Sequence, residues 1–140
     1  MKILLATDGS KYAQKALDFI VMHPKLLDVQ AELLVIHVQI PLPTGFNLIM
    51  GFDRALELHD IEAKKIFAPV KKFLEKNAVK YRCLSAIGPI VKEIVDAAKN
   101  EHVHLILMGT HGRDLVGRAL TGSVAQRVVA NSTVPVLLVK

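Results

Sequence analysis

The sequence predicts an α/β domain built on a five-stranded parallel sheet with helices on both faces. Three observations carry that expectation. Short apolar runs alternate with longer segments whose apolar residues recur at helical spacing. The short runs are nearly continuous in Val, Ile and Leu, as strands buried on both faces require. The chain has 140 residues, 51% of them hydrophobic, which fits one domain, 1–140, with a sizeable core.

The first strand is read over Lys2–Thr7. Ser10 is placed to cap a helix over Lys11–Met22, with Tyr12, Ala16, Phe19 and Ile20 on one face, and Pro24 marks its end. Ala31–Gln39 is a second strand, rich in Val, Ile and Leu. Pro41-Leu42-Pro43-Thr44-Gly45 breaks it and opens a loop. A long helical stretch follows from about Asp53 to Asn77, with Leu58, Ile66, Val70, Phe73 and Leu74 inward. Pro69 removes one backbone hydrogen bond from that stretch and predicts a kink or break near Lys65–Ile66. The third strand is Val79–Ala86, and a helix starts at Pro89 or Ile90 and runs through Lys99, with Ile90, Ile94, Val95 and Ala98 inward. Val103–Met108 is the fourth strand, Gly122–Asn131 holds the last helix, and Val134–Val139 is the fifth strand.

Right-handed crossovers limit this order to a few doubly wound topologies. One of them, 3-2-1-4-5, sets strands 1 and 4 side by side. Ligands in such sheets sit beyond the carboxyl ends of the strands where the order reverses. Those ends carry Thr7-Asp8-Gly9-Ser10 and Met108-Gly109-Thr110-His111-Gly112. Composition narrows the function classes. Eighteen basic and thirteen acidic residues give a net charge of +5, with the two signs interspersed. No basic-aromatic motif appears, so nucleic acid is not the expected partner. No apolar run approaches a membrane span or a signal-peptide core, which makes a cytosolic protein the expectation. The lone Cys83 allows no internal disulfide and reads as a small buried hydrophobe.

The richest feature is Gly109-x2-Gly112-x9-Gly122-Ser123, set between a strand and a helix start. Glycines there let backbone N–H groups approach a phosphate closely, and such loops often need positive φ. The N-terminus of the following helix adds unpaired N–H groups and about half a positive charge. Ser123 offers a hydroxyl, and Arg113, Gly117 and Arg118 lie in the intervening flap. The same glycines could simply make turns. The pattern is not a Walker loop, which needs Gly-Lys-Ser/Thr at the helix start. Nor is it the G-x-G-x-x-G fingerprint after strand 1. Asp8 could accept hydrogen bonds from ribose hydroxyls or could cap the first helix. His111 could serve as base, ligand or donor, but it has no paired carboxylate or second histidine at ligand spacing. His37 reads as a core or rim residue. No Cys/His cluster has zinc spacing, so neither a catalytic group nor a metal site is assigned.

With these residues in place, the chain resembles the ATP-binding branch of the universal stress protein family. The glycine pattern matches that branch's G-x2-G-x9-G-(S/T) motif. Ile3–Ser10 resembles the family's first strand and turn, and Ser123–Ala125 with Val134–Val139 resembles its last helix and strand. The resemblance implies a Rossmann-like open sandwich, a five-stranded parallel sheet of order 3-2-1-4-5 with four helices. It places adenosine against Ala6, Thr7, Asp8 and Val38, with Asp8 at the ribose. Met108, Gly109, His111 and Gly112 would line the ribose and phosphates. Gly122, Ser123, Val124 and Ala125 would hold the phosphates, with Mg or Mn bound through them. Ala125 lacks the hydroxyl that some members carry there, so its contact would come from the backbone. The resemblance further implies a homodimer. Strand 5 would be an apolar sheet edge, which is an association hazard unless covered. Val136, Leu137, Leu138 and Val139 would then pair with a second copy. The expected role is a nucleotide-dependent sensor or regulator in the cytoplasmic stress response. Two other readings stay open. One is a slow nucleotide hydrolase or nucleotidyl transferase using Asp8 or His111. The other is an interaction protein with an empty loop.

Overall fold

The computed structural model describes residues 1–27, 30–112 and 122–140. The chain runs β1 (Lys2–Ala6), α1 (Lys11–Met22), β2 (Glu32–Gln39), α2 (Thr44–Met50), α3 (Phe52–Lys76), β3 (Tyr81–Ile87), α4 (Ile90–Asn100), β4 (Leu105–Gly109), α5 (Ser123–Asn131) and β5 (Val136–Val139). A single 3₁₀ turn, Pro24–Leu26, follows α1. All strand pairs are parallel and the order is 3-2-1-4-5, as the sequence predicts.

Alternation along the strands splits the core into two layers. Ile3, Leu5, Leu33, Val35 and Leu107 pack against α1 and α3 through Ala16, Leu17, Ile20, Phe67 and Leu74. Leu4, Leu34, Ile36, Ile106 and Met108 pack on the other face against Ile94 and Ala98 of α4 and Ala125 and Val128 of α5. The three central strands are therefore apolar on both faces, which is why their sequences read as continuous runs.

Two expectations need correction. Five α-helices, not four, lie among the described residues. The extra one is α2, in the segment read as loop. Pro43 takes its N-cap position, where a missing N–H costs nothing, and Gly51 ends it with φ of +82°. It buries no residue, and Leu48, Ile49 and Met50 stay exposed, so it lacks the inward stripe that periodicity detects. The second correction concerns the break expected near Lys65–Ile66 ahead of Pro69. α3 runs unbroken through it. Ile66 and Phe67 before the proline and Val70 and Leu74 after it are all buried, and their packing offsets one lost hydrogen bond.

The amino ends of the strands are tied by charge. The Arg82 guanidinium reaches both carboxylate oxygens of Glu101, at 2.6 and 3.2 Å, and also Glu32 at 3.3 Å. Lys2 lies 3.2 Å from Glu32. The hydrogen bond from Arg82 holds the Glu101 carboxyl below its ordinary value of 4.5. A carboxyl depressed in the folded chain stabilises it above the ordinary value and loses that contribution as pH falls through the folded value. The difference in melting temperature between wild type and Glu101→Gln is therefore expected to be constant near neutrality and to shrink below about pH 4. A difference that does not change across that range contradicts this reading.

Candidate functional site

β1 pairs with β4 from Ile3–Leu105 to Ala6–Met108, so the two polar strand ends lie side by side. The loop after β1 is fixed by three short bonds. Gly9 takes φ of +75°, a conformation that favours glycine. Its N–H donates to the Thr7 hydroxyl at 3.3 Å, and the Ser10 N–H donates to Asp8 Oδ1 at 2.9 Å. Ser10 Oγ then accepts from the Ala13 N–H at 3.2 Å and caps α1. Ser10, not Asp8, is thus the helix cap. The other Asp8 oxygen, Oδ2, turns to the β4 side. A Cβ built on Gly112 would lie 2.9 Å from it.

The loop after β4 closes tightly on the start of α5. The Gly122 N–H donates to the Thr110 carbonyl at 2.6 Å, and the Thr110 N–H donates to the Val139 carbonyl at 2.9 Å. None of the motif glycines has positive φ; among the described glycines Gly9 and Gly51 do. What the motif glycines permit is close approach. A Cβ on Gly109 would meet the Tyr12 backbone at 2.6 Å, and one on Gly122 would lie 3.2 Å from Thr110 O and His111 Cα. Gly109 therefore answers to α1 packing, which no ligand argument anticipates. The His111 ring lies tilted against Tyr12 with centroids 4.9 Å apart, and its Nδ1 shares a 3.0 Å hydrogen bond with the Thr110 hydroxyl.

These ends enclose a cavity of about 400 Å³, within the range of small-molecule sites. All twelve residues singled out in the sequence line it: Ala6, Thr7, Asp8, Val38, Met108, Gly109, His111, Gly112, Gly122, Ser123, Val124 and Ala125. The flap residues Arg113, Gly117 and Arg118 lie outside the described residues. One wall is apolar, made by Ala6, Ile36, Val38, Ile90, Ile94 and Met108. The opposite end is polar. The first helical hydrogen bond of α5 runs from the Gln126 N–H to the Gly122 carbonyl, so the amides of Ser123, Val124 and Ala125 have no partner within the helix. Gly122 offers no capping side chain to them. Bare amides and the positive end of the helix suit an anion. Asp8 is the cavity's one carboxylate among the described residues. No group of three metal-ligating side chains occurs among the described residues.

A family model described as "Universal stress protein family" matches residues 1–140. The chain belongs to the universal stress protein family. Universal stress protein MJ0531 of Methanocaldococcus jannaschii is 35% identical over 140 residues, covering 99% of this chain and 81% of that protein. The solved structure of MJ0577 from the same organism is 33% identical with a TM-score of 0.83, covering 99% of this chain and 94% of that one. A universal stress protein from Archaeoglobus fulgidus, solved in complex with dAMP, shares the fold at a TM-score of 0.71 and 22% identity, covering 100% of this chain and 98% of that one.

Sequence reasoning missed Ala13, Ile36, His37, Ile40, Ile90, Ile94 and Thr110 as cavity residues. Ile90 and Ile94 were read as core. The signal was available, because a helix that follows β3 starts at the same edge of the sheet where β1 and β4 end. His37 was hidden by its place inside an apolar run.

The packing role of Gly109 has a direct check. Gly109→Ala forces its Cβ into the Tyr12 backbone and is expected to cost about 1–3 kcal/mol in chemical denaturation. Gly88→Ala is the control: its Cβ would meet only the Glu93 side chain, which can swing away. Equal stability of the two variants would show that α1 does not constrain position 109.

Proposed function

We propose that this universal stress protein binds ATP and acts as a nucleotide-dependent regulator of the cytoplasmic stress response. The observation that supports this reading is the arrangement of one cavity. It has an apolar wall at Ile36, Val38 and Ile94, a carboxylate at Asp8, and three bare amides at the start of α5. An adenine ring fits the apolar wall beside Val38. The Asp8 carboxylate accepts from ribose hydroxyls. The phosphates lie against Gly109, His111 and Gly112 and end on the amides of Ser123, Val124 and Ala125, carrying Mg²⁺ or Mn²⁺ with them. The absence of a Cβ at Gly112 and Gly122 lets Asp8 and the Thr110–His111 backbone close in around the phosphate end of the cavity.

Titration with ATP and magnesium is expected to give saturable binding below about 1 mM. AMP and cAMP are run in parallel, because loss of the terminal phosphates removes contacts with α5. Gly122→Val is expected to abolish ATP binding while the circular dichroism spectrum stays native. The absence of saturable binding by wild type, or unchanged affinity in a folded Gly122→Val, removes this assignment.

The assembly proposed with it is a homodimer. β5 lies at the edge of the sheet, and Val136, Leu137, Leu138 and Val139 are all half-buried in the single chain. Pairing two such edges antiparallel about a two-fold axis satisfies both rows of backbone groups. Sedimentation velocity at micromolar concentration is expected to give a dimer, and Leu138→Pro, which blocks edge pairing, a monomer. Monomer at all concentrations in wild type contradicts the assembly.

A further inference from the structure

One buried side chain beside the cavity has no role in packing alone. His37 on β2 is 6% exposed and stands among apolar neighbours, edge-on to Phe67 with centroids 6.1 Å apart. Its Nδ1 lies 2.9 Å from the Thr7 carbonyl oxygen. A carbonyl only accepts, so Nδ1 carries the proton and the ring is the Nδ1–H tautomer. Nε2 is then a bare acceptor, and it finds no partner among the described residues. A buried, half-satisfied imidazole is costly where an aliphatic side chain would be satisfied. Its position in the ladder supplies a reason for it.

β1 pairs with β2 up to Ala6–Ile36, and the Thr7 N–H donates to the Ile36 carbonyl at 2.9 Å. In an uninterrupted parallel ladder the Thr7 carbonyl would next accept the Val38 N–H. No such bond forms among the described residues, and the His37 ring takes that carbonyl instead. Backbone groups on β2 alternate sides. The Gln39 carbonyl accepts from Gly88 on the β3 side, so the N–H and carbonyl of Val38 point the other way, past the end of β1. Val38 lines the cavity.

We propose that His37 is a positioning residue that sets the base selectivity of the site. By holding the Thr7 carbonyl away from β2, it leaves the Val38 N–H and carbonyl as an adjacent donor and acceptor. That pair matches a purine that offers a ring-nitrogen acceptor beside an amino group, as adenine does. It opposes one that offers a ring N–H beside a carbonyl, as hypoxanthine and guanine do. The proposal rests on the nucleotide-binding reading above.

The test compares ATP and ITP, which share ribose and phosphates and differ at the base edge. Wild type is expected to prefer ATP. His37→Leu removes the ring donor and frees the Thr7 carbonyl to recapture the Val38 amide. It is expected to narrow the ATP-to-ITP affinity ratio about five- to tenfold, the worth of about one hydrogen bond. His37→Asn, whose amide N–H can stand where Nδ1–H stood, is expected to keep the ratio within about twofold. Long-range ¹⁵N spectra of wild type are expected to show the proton on Nδ1. His37→Leu weakening ATP and ITP alike would mean a purely structural role and overturns the proposal, as does a proton found on Nε2. If His37→Leu does not fold, loss of the ratio in folded His37→Asn overturns it equally. Wild type binding ATP and ITP with equal affinity overturns this inference alone. Wild type binding neither overturns the function reading and this inference together.

Discussion

The parallel pairing of β1 with β4 is the constraint on which the cavity depends. β1 sends its crossover to β2 on one side and β4 sends its own to β5 on the other. Their carboxyl ends are therefore neighbours with no helix packed between them. A crevice at that point follows from topology before any side chain is chosen. The register then decides what faces it. Ala6 stands opposite Met108, so the residues that follow, Thr7-Asp8 and Gly109-Thr110-His111, emerge at the same height. A slip of one residue would exchange Leu107 with Met108 and turn an apolar core residue into the crevice. The two buried layers on either face hold that register, which makes the core a positioning device for the site.

The glycine motif carries two different duties that its spacing cannot separate. Gly109 gives room to the backbone of α1, and Gly122 lets the start of α5 close on Thr110 through a 2.6 Å hydrogen bond. Gly112 gives room to the carboxylate of Asp8. At Gly109 and Gly112 the protein's own atoms already stand closer than a Cβ tolerates, while Gly122 has slightly more room. A motif match of this kind reports a backbone geometry first. Nucleotide binding is a further step that needs the bare amides of α5 and the adjoining apolar wall.

The sheet order and the meeting of the two strand ends were legible from patterns of long range in the sequence, whereas Ala6, Val38, Val124 and Ala125 were named only through the family resemblance. Apolar strands alternating with amphipathic helices leave few topologies, and the topology brings Thr7-Asp8 to Gly109-Gly112. What escaped notice had weak periodic signals. α2 buries nothing, so its sequence, with two prolines just before it and Gly45 within it, resembles a loop. Pro69 advertised a break that Phe67, Val70 and Leu74 prevent by packing. His37 escaped because a histidine inside a buried strand looks like an exception to be tolerated. Its meaning depends on one hydrogen bond to a strand that has just ended.

The ionisable groups of the cavity bear on what the site does with a ligand. Among the described lining residues these are Asp8, His37 and His111. Each is already engaged in shaping the loops. Asp8 accepts from the Ser10 N–H, His37 donates to the Thr7 carbonyl, and His111 bonds the Thr110 hydroxyl while packed against Tyr12. Fixed amides at the start of α5 need no rearrangement to meet a phosphate. The bonds that build the cavity thus also fix the groups that, in the proposed function, meet the nucleotide.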